Sequence, residues 1–269
     1  MPNQRFNLWC QQATNVCDLS IIIPAYNEAK RILPTIAAIS VVVSEMTLNW
    51  ELIISDDGSK DETVALLEPL NWVNLKVIQH ANTGKGGAVK RGIMAAKGSY
   101  LLFADADNST PIEELKKLLQ ELMTGYDIAI GSRAAAGAKE ENKSPVRHFI
   151  SYGVRQLAQL ISGLRVEDSQ CGFKLFRREV ALELFELQKM PGFSFDLEIL
   201  YLANKFNHPV AEVPVHWYDA PGSKVNSVKD SWRFFKDILS IRHLDKAGGY
   251  ANAKAVPVLR AKLEPQFQA

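Results

Sequence analysis

Residues 99–107 read Ser-Tyr-Leu-Leu-Phe-Ala-Asp-Ala-Asp, and this stretch decides the fold. Its apolar part, 99–104, predicts a buried strand, and two carboxylates follow that strand at once. Two other short apolar runs end in a similar way. Residues 19–23 stop at a proline, and residues 51–55 stop at the polar cluster 56–59. The sequence therefore predicts several buried strands whose ends carry polar side chains.

Helical patterns alternate with these strands along the first half of the chain. Further strands are predicted at 75–79 and 127–130, and helices at 28–45, after 59–62, at 86–97 and from Pro111 onward. Alternating units of this kind predict an α/β fold, a Rossmann-like and mostly parallel sheet flanked by helices. Ligands bind beyond the carboxyl ends of such strands, so the clusters at 56–59 and 105–109 predict a binding site.

The second half of the chain is less regular. We expect a loop at 134–144 and a poorly ordered tail after Gly248. The predicted elements are helices at 145–163, 194–207 and 227–243 and strands at 170–177 and 210–217. Helices therefore dominate the C-terminal half.

The composition excludes several classes of protein. Lys and Arg number 31 against 30 Asp and Glu, and a net charge of +1 provides no field for nucleic acid. Three scattered cysteines, Cys10, Cys17 and Cys171, form neither a disulfide framework nor a zinc motif. A spanning helix needs about 20 mainly apolar residues, and the longest apolar stretch, 32–48, is interrupted by polar residues. We expect a cytoplasmic protein, soluble or peripheral on the cytoplasmic face of a membrane.

Asp105 and Asp107 alternate at a strand end, so both carboxylates can reach one ligand. Mg²⁺ and Mn²⁺ prefer oxygen ligands and often bind a substrate diphosphate as well. Acidic pairs are also common in ordinary loops. The position directly after a buried strand favours the metal interpretation.

Two other segments have both a functional and a purely structural interpretation. Asp57 could accept a hydrogen bond from a base or ribose, or it could belong to a strand-to-helix turn capped by Ser59 or Asp61. Residues 84–87, Gly-Lys-Gly-Gly, precede a helix but fit neither the phosphate-binding loop of NTPases nor the dinucleotide-binding fingerprint. The NTPase and dehydrogenase classes therefore lose most of their support.

Charged side chains farther along the chain indicate where an anionic group could bind. Arg133 follows the strand at 127–130, and arginines suit phosphate groups through paired hydrogen bonds. The alternative for Arg133 is a solvated surface charge. Asp168 is a candidate general base, with a cap or an ion pair as the alternative. Cys171 is predicted to be a small buried residue, and His80 could touch a ligand at the end of the third strand.

The order of the motifs points to a known family. The first set is Ile-Ile-Ile-Pro-Ala-Tyr-Asn-Glu (21–28), Ser-Asp-Asp-Gly-Ser-Lys-Asp (55–61), Gly-Lys-Gly-Gly-Ala (84–88), Ala-Asp-Ala-Asp (104–107) and Gly-Ser-Arg (131–133). Together these motifs resemble the family 2 glycosyltransferases of the GT-A fold. The later motifs at 168–176, 195–198, 212–217 and 222–225 are most similar to the dolichyl-phosphate β-glucosyltransferases, followed by the dolichyl-phosphate mannose synthases.

The resemblance implies a division of the chain and roles for its residues. The domains would be an N-terminal extension (1–17), a GT-A domain (18–245) with a nucleotide-sugar half (18–133) and an acceptor half of mainly helices (134–245), and a C-terminal tail (246–269). The nucleotide sugar would be bound by Pro24, Tyr26, Glu28, Asp57, Lys85, Asp105 and Lys224. The metal would be held by Asp105 and Asp107, and the acceptor phosphate by Arg133, Arg147 and Ser151. The catalytic residues would be Asp105, Asp107, Asp168 and Arg133.

The resemblance also implies a metal-dependent, inverting hexosyltransferase that uses Mg²⁺ or Mn²⁺. We expect transfer of glucose from UDP-glucose to a polyprenyl or dolichyl phosphate, with peripheral membrane contact and no nucleic-acid partner. The alternatives are GDP-mannose as the donor, a hydroxyl group as the acceptor, and a nucleotide-sugar binder without activity. The intact pair Asp105 and Asp107 argues against the last alternative. The position that carries a further metal-binding Gln in the mannose synthases is Ser109 here.

Overall fold

The computed structural model describes residues 4–13, 16–141, 166–218 and 227–251, which are arranged around one large sheet. The strands are β1 (Leu19–Ala25), β2 (Trp50–Asp56), β3 (Leu75–Gln79), β4 (Tyr100–Ala104), β5 (Ile128–Ser132), β6 (Lys139–Glu141), β7 (Phe173–Arg177), β8 (Val210–Pro214) and β9 (His216–Tyr218). The helices are α1 (Gln4–Gln11), α2 (Ile32–Glu45), α3 (Thr63–Leu67), α4 (Lys85–Ala95), α5 (Leu115–Met123), α6 (Arg178–Leu187), α7 (Phe195–Lys205) and α8 (Ser227–Lys246). A 3₁₀ turn, Ile112–Glu114, leads into α5.

The seven-stranded sheet has the order β3-β2-β1-β4-β7-β5-β8. β1 pairs in parallel with β2 and β4, β2 with β3, and β5 with β8. β7 runs antiparallel to both of its neighbours, β4 and β5. The predicted mostly parallel sheet is confirmed. The inverted strand brings the start of β7, rather than its end, to the carboxyl edge of the parallel strands.

The central strands are apolar along their length because helices cover both faces of the sheet. Ile21 and Ile23 of β1 belong to a buried cluster that includes residues of α2 and α5. Ile22, between them, belongs to the cluster on the opposite face, which includes residues of α4, α6 and α7. Each of the three side chains is 0% exposed. This two-sided burial produces the unbroken apolar runs from which the strands were predicted.

Both predicted terminal segments contribute to the core. Trp9 of α1 is buried, its ring stacks on Trp50 with the centroids 4.1 Å apart, and its Nε1 donates to the Trp50 carbonyl at 2.6 Å. Tyr250 is 1% exposed and donates its hydroxyl proton to Glu198 at 2.6 Å. Trp9 of the predicted extension at 1–17 and Tyr250 of the predicted tail at 246–269 are thus both buried against the domain, and the division of the chain at these boundaries stays a prediction.

The structure of the second half differs from the predictions in three ways. The expected loop at 134–144 contains β6, which pairs in parallel with β9. The expected strand at 210–217 is divided into β8 and β9, which belong to different sheets. Helix α6 was not predicted. β6 and β9 are far apart in the sequence, so their pairing cannot be predicted from the local pattern of either segment.

Of the two amphipathic helices predicted in the acceptor half, only the second lies within the described residues. The helix at 145–163 lies outside the described residues. The helix at 227–243 is confirmed as α8, and two of its apolar side chains, Ile238 and Ile241, are buried in the core. None of the helices in the described ranges combines the length and apolar character that a membrane crossing requires.

Candidate active site

A crevice of about 400 Å³ opens at the carboxyl ends of β1, β2 and β4. The predicted site residues that line it are Pro24, Tyr26, Glu28, Asp57, Lys85, Asp105 and Asp107. Arg133 and Asp168 lie farther along the same edge of the sheet, just after β5 and shortly before β7. Arg147, Ser151 and Lys224 lie outside the described residues. The structure thus brings most of the predicted nucleotide-sugar residues into one cavity.

The first two loops of the crevice are tied together by side chains. The N–H of Asn27 donates to the Ser59 hydroxyl at 2.9 Å, and the Asn27 side-chain oxygen accepts from the N–H of Lys60 at 2.7 Å. Asn27 has a φ of +55°, a left-handed conformation that asparagine adopts more readily than most residues. The motifs at 21–28 and 55–61 therefore depend on each other for their shape.

Asp57 fixes the loop between β3 and α4. One of its carboxylate oxygens accepts from the N–H of Thr83 at 2.9 Å and from Arg91 at 2.6 Å. The other oxygen accepts from the N–H of Gly84 at 2.8 Å. In the strand-to-helix turn that the sequence offered as an alternative, Asp56 accepts from the N–H groups at 58 and 59, and Asp61 accepts from the N–H of Thr63, the first residue of α3. Asp57 therefore holds the segment that carries Lys85, while its direct contact with a base or ribose stays a prediction.

Lys85 and Asp105 form an ion pair inside the crevice. The Lys85 ammonium lies 2.7 Å from Asp105 Oδ1 and 5.2 Å from the centre of the Phe103 ring. Burial alone would lower the pKa of Lys85, but the nearby carboxylates of Asp105 and Asp196 outweigh burial and raise it. Burial raises the pKa of Asp105, and Lys85 opposes that shift. This position therefore already accommodates a cation against the Asp105 carboxylate.

Asp105 is supported by the turn that precedes β7. Its N–H donates to the Gly172 carbonyl at 3.0 Å. A Cβ on Gly172 would collide with the Asp105 carboxylate, whose farther oxygen would be only 2.8 Å away. The turn is fixed in its place by Lys174, a buried residue that donates to the Cys171 carbonyl at 2.6 Å and to Asp196 at 2.5 Å. Sequence reasoning missed this support, because it joins segments that are far apart along the chain.

Asp107 lies beside an arginine that the sequence did not single out. Asp107 Oδ1 accepts from the N–H of Ser109 at 3.0 Å, and Oδ2 lies 4.0 Å from Arg31. Arg31 also forms a bidentate pair with Glu28, at 2.6 and 2.8 Å. Arg31 precedes α2 without any local motif that marks it as functional. One guanidinium thus lies between two of the predicted site carboxylates.

The donor set of Asp105 and Asp107 fits a hard divalent cation. Two carboxylates provide oxygen ligands of the kind that Mg²⁺ and Mn²⁺ prefer, and the Lys85 ammonium shows that a positive charge is tolerated here. Within the described ranges, no three His, Cys, Asp or Glu side chains come together as a complete metal cage. The remaining ligands would be diphosphate oxygens and water, a common arrangement for Mg²⁺.

Arg133 and Asp168 form a second ion pair beyond the crevice. Two guanidinium nitrogens of Arg133 donate to the two Asp168 oxygens at 2.7 and 2.8 Å, and the Arg133 N–H donates to Asp168 at 2.9 Å. The guanidinium lies 5.4 Å from the centre of the Trp217 ring. Burial would raise the pKa of Asp168, but Arg133 outweighs burial and holds the pKa well below its usual range. The geometry therefore favours the ion-pair alternative over a general base, since so weak a base accepts protons poorly.

The glycines at 84–87 allow a close approach between two backbones. A Cβ on Gly84 would stand 2.6 Å from the Pro191 carbonyl oxygen, and one on Gly86 would stand 2.6 Å from the Cβ of Phe195. The N–H of Gly87 donates to the Pro191 carbonyl at 3.0 Å. Backbone packing against the loop before α7 therefore explains this glycine-rich segment.

Cys171 and His80, which the sequence also singled out, do not line the crevice. Cys171 is buried, and burial raises the pKa of its thiol to about 11. The prediction of a small buried residue is confirmed. His80 is exposed at the end of β3 and lines a separate surface pocket with Lys76 and Arg91.

Comparison with known families and curated proteins gives a consistent result. The family model described as glycosyl transferase family 2 matches residues 20–185. A dolichyl-phosphate beta-glucosyltransferase of Dictyostelium discoideum is 37% identical over 243 residues, covering 83% of this chain and 73% of the relative. The protein of the same name from Homo sapiens is 35% identical over 242 residues, covering 83% of this chain and 74% of the relative.

Solved structures of similar shape establish the fold. Glucosyl-3-phosphoglycerate synthase from Mycobacterium tuberculosis, in complex with Mn²⁺, UDP and phosphoglyceric acid, has a TM-score of 0.61 at 21% identity, with 86% of this chain and 79% of that chain covered. Mannosyl-3-phosphoglycerate synthase from Rubrobacter xylanophilus has a TM-score of 0.63 at 16% identity, with 99% and 83% covered. The predicted GT-A fold is confirmed by these likenesses.

Proposed function

Because the chain belongs to glycosyl transferase family 2, we propose that it transfers glucose from UDP-glucose to a dolichyl or other polyprenyl phosphate. The names of the similar curated proteins support glucose and dolichyl phosphate, and they do not favour mannose. The observation that carries the proposal is the convergence of Asp105, Asp107 and Lys85 in one crevice at the strand ends.

The donor would lie along this crevice. Pro24, Tyr26 and Asp57 line the end formed by β1 and β2, where we place the nucleoside. Glu28 lines the crevice as well, and we assign it to the nucleoside. Asp105 and Asp107 line the end formed by β4, where we place the diphosphate. We assign Lys224 to the diphosphate as well. Asp105 and Asp107 would hold Mg²⁺ or Mn²⁺, which when bound stabilises negative charge on a leaving diphosphate. Lys85 supplies an additional positive charge from the protein itself.

The acceptor phosphate would approach from the side of β5. Arg133 lies at that end of the sheet, and Asp168 holds its guanidinium in a fixed orientation. One phosphate oxygen would attack the anomeric carbon of glucose as the bond from that carbon to the diphosphate breaks, and UDP would leave with the electron pair. A phosphate acceptor is already anionic near pH 7, so the attack needs no general base. This agrees with an Asp168 whose pKa is far below its usual range.

The remaining parts of the proposal concern the acceptor half and the membrane. We assign Arg147 and Ser151 to the acceptor phosphate together with Arg133, residues 18–133 to the donor half, and residues 134–245 to the acceptor half. The apolar chain of the acceptor resides in a membrane, so we place the protein peripherally on the cytoplasmic face during turnover. The chemistry of the acceptor is the support for this placement.

The test is a competition in one tube. The purified protein is incubated with Mn²⁺ or Mg²⁺, a short-chain polyprenyl phosphate, and equal amounts of UDP-glucose and GDP-mannose, and the lipid product is identified by mass spectrometry. We expect a glucosyl phospholipid whose formation stops on addition of EDTA. A mannosyl phospholipid would reassign the donor. Release of UDP without any lipid product would reassign the acceptor.

A further inference from the structure

An aromatic side chain that nothing in the sequence marked as functional lies on the wall of the crevice. Phe193 is 60% exposed and lines the same cavity as Asp105 and Asp107. We propose that the Phe193 ring is the surface on which the sugar of the donor stacks, an inference that rests on the proposed function. Pyranose rings present C–H groups on their faces, and these pack on aromatic rings as other apolar groups do.

The loop that presents Phe193 is held rigidly. This loop, residues 188–194, follows α6. Both carboxylate oxygens of Glu198 accept from its backbone, from the N–H of Lys189 at 2.9 Å and from that of Met190 at 2.8 Å. The side chain of Gln188 donates to the Met190 carbonyl at 2.7 Å. A phenyl ring held out to solvent on a fixed backbone loses little conformational freedom when a ligand covers it.

The same loop is locked to the segment that carries Lys85. The N–H of Gly87 donates to the Pro191 carbonyl at 3.0 Å, and Gly84 packs so closely that a Cβ there would stand 2.6 Å from the Pro191 oxygen. Phe193 and Lys85 are therefore held in a fixed relation, with the ammonium 6.0 Å from the ring centre. This backbone contact holds the loop that carries Phe193 at the wall of the crevice.

The position of the ring along the crevice selects the sugar as its partner. Asp57 lies at the end of the crevice formed by β2, whereas the Phe193 ring lies beside Lys85, whose ammonium is 2.7 Å from Asp105 at the end of β4. In the sheet order, the strands after β4 are β7 and β5, and Arg133 follows β5. A sugar attached to a diphosphate held by Asp105 and Asp107 would lie next to these carboxylates, and Phe193 lines the same crevice beside Lys85, the ion-pair partner of Asp105.

The experiment compares the binding of UDP-glucose and of UDP alone, each with Mn²⁺, by isothermal titration calorimetry. Phe193→Ala should weaken UDP-glucose binding about tenfold, the effect of an apolar contact of about 1.4 kcal/mol, and should leave UDP binding unchanged. Phe193→Tyr, which keeps the ring, is the matched control and should bind both ligands as the wild type does. Equal weakening of UDP and UDP-glucose would overturn the proposal in favour of a nucleotide contact.

A second readout separates the sugar from the lipid. If Phe193→Ala leaves the affinity for UDP-glucose intact and raises only the KM for the polyprenyl phosphate, the ring contacts the acceptor and the proposal is wrong. Failure of the proposed function has a different signature, since the wild type itself would then prefer GDP-mannose or form no lipid product. The same comparison with GDP and GDP-mannose would decide the role of the ring in that case.

Discussion

Gly172 lies against Asp105 so closely that the carboxylate occupies the space where a β-carbon would stand. The two residues are also joined by a hydrogen bond from the Asp105 N–H to the Gly172 carbonyl at 3.0 Å. The orientation of Asp105, which follows β4, therefore depends on the lack of a side chain at Gly172. Gly172 belongs to the turn that leads into β7. This relationship makes Gly172 a positioning residue for the proposed chemistry.

Gly172→Ala should displace the Asp105 carboxylate, because the new methyl group and the carboxylate cannot share one volume. A displacement of about 1 Å in a reacting assembly costs about 100-fold in rate, and we expect a fall of that order in kcat. Gly192→Ala is the matched control, since a Cβ there meets nothing within 4 Å. Steady-state kinetics and melting temperatures of the two variants measure the effect. Unchanged kcat in Gly172→Ala would show that Asp105 tolerates the shift.

Asp107→Asn should abolish most transfer while preserving the fold. The substitution removes one of two carboxylates that would hold the divalent cation, and loss of one preorganised charge contact costs about 100-fold or more in kcat. Calorimetric titration of Mn²⁺ in the presence of UDP gives a readout independent of turnover, and metal affinity should fall as well. Glu113→Gln, which changes an exposed carboxylate of the 3₁₀ turn, is the control. Full Mn²⁺ binding by Asp107→Asn would remove Asp107 from the metal site.

Asp168→Asn should destabilise the protein at neutral pH, because Arg133 then loses its carboxylate partner. Breaking a buried pair costs about 3–5 kcal/mol, and Asp168 is 1% exposed. The pKa of Asp168 is lowered in the folded state, so its contribution is complete above about pH 4, the usual carboxyl range, and is lost as the pH falls through the folded value. Urea unfolding of both proteins at a series of pH values should therefore show a difference that narrows below pH 4. A constant difference would mean that the charge of Asp168 is not the cause.

Trp9→Ala should show that α1 belongs to the folded domain. Trp9 stacks on Trp50 with the centroids 4.1 Å apart and is 6% exposed, and truncation of a buried Trp costs about 3–5 kcal/mol. Leu8→Ala on the same helix is the control, because Leu8 is 52% exposed and surface changes cost about 0.5 kcal/mol or less. Denaturant unfolding measures both. Equal stability of the two variants would make α1 an appendage.

The first half of the fold was predicted well from the sequence. A central strand that is buried on both faces of the sheet consists of an unbroken run of apolar residues, and such a run is easy to recognise. The predicted strand at 99–104 matches β4, whose five residues are all buried, and the acidic pair that follows it lies in the crevice as expected. Contacts between segments that are distant in the sequence produce no such local pattern of residues. The support of Asp105 by Gly172, and the approach of Arg31 to Asp107, depend on which strands become neighbours.

The antiparallel course of β7 also determines where the chain between β5 and β7 leaves the sheet and rejoins it. β5 ends at Ser132 and β7 begins at Phe173, and both points lie at the same edge of the sheet. The intervening chain therefore leaves the sheet and rejoins it at the edge where the crevice opens. Gly172 belongs to this segment and contacts Asp105, so a change in the chain between β5 and β7 is transmitted directly to the crevice.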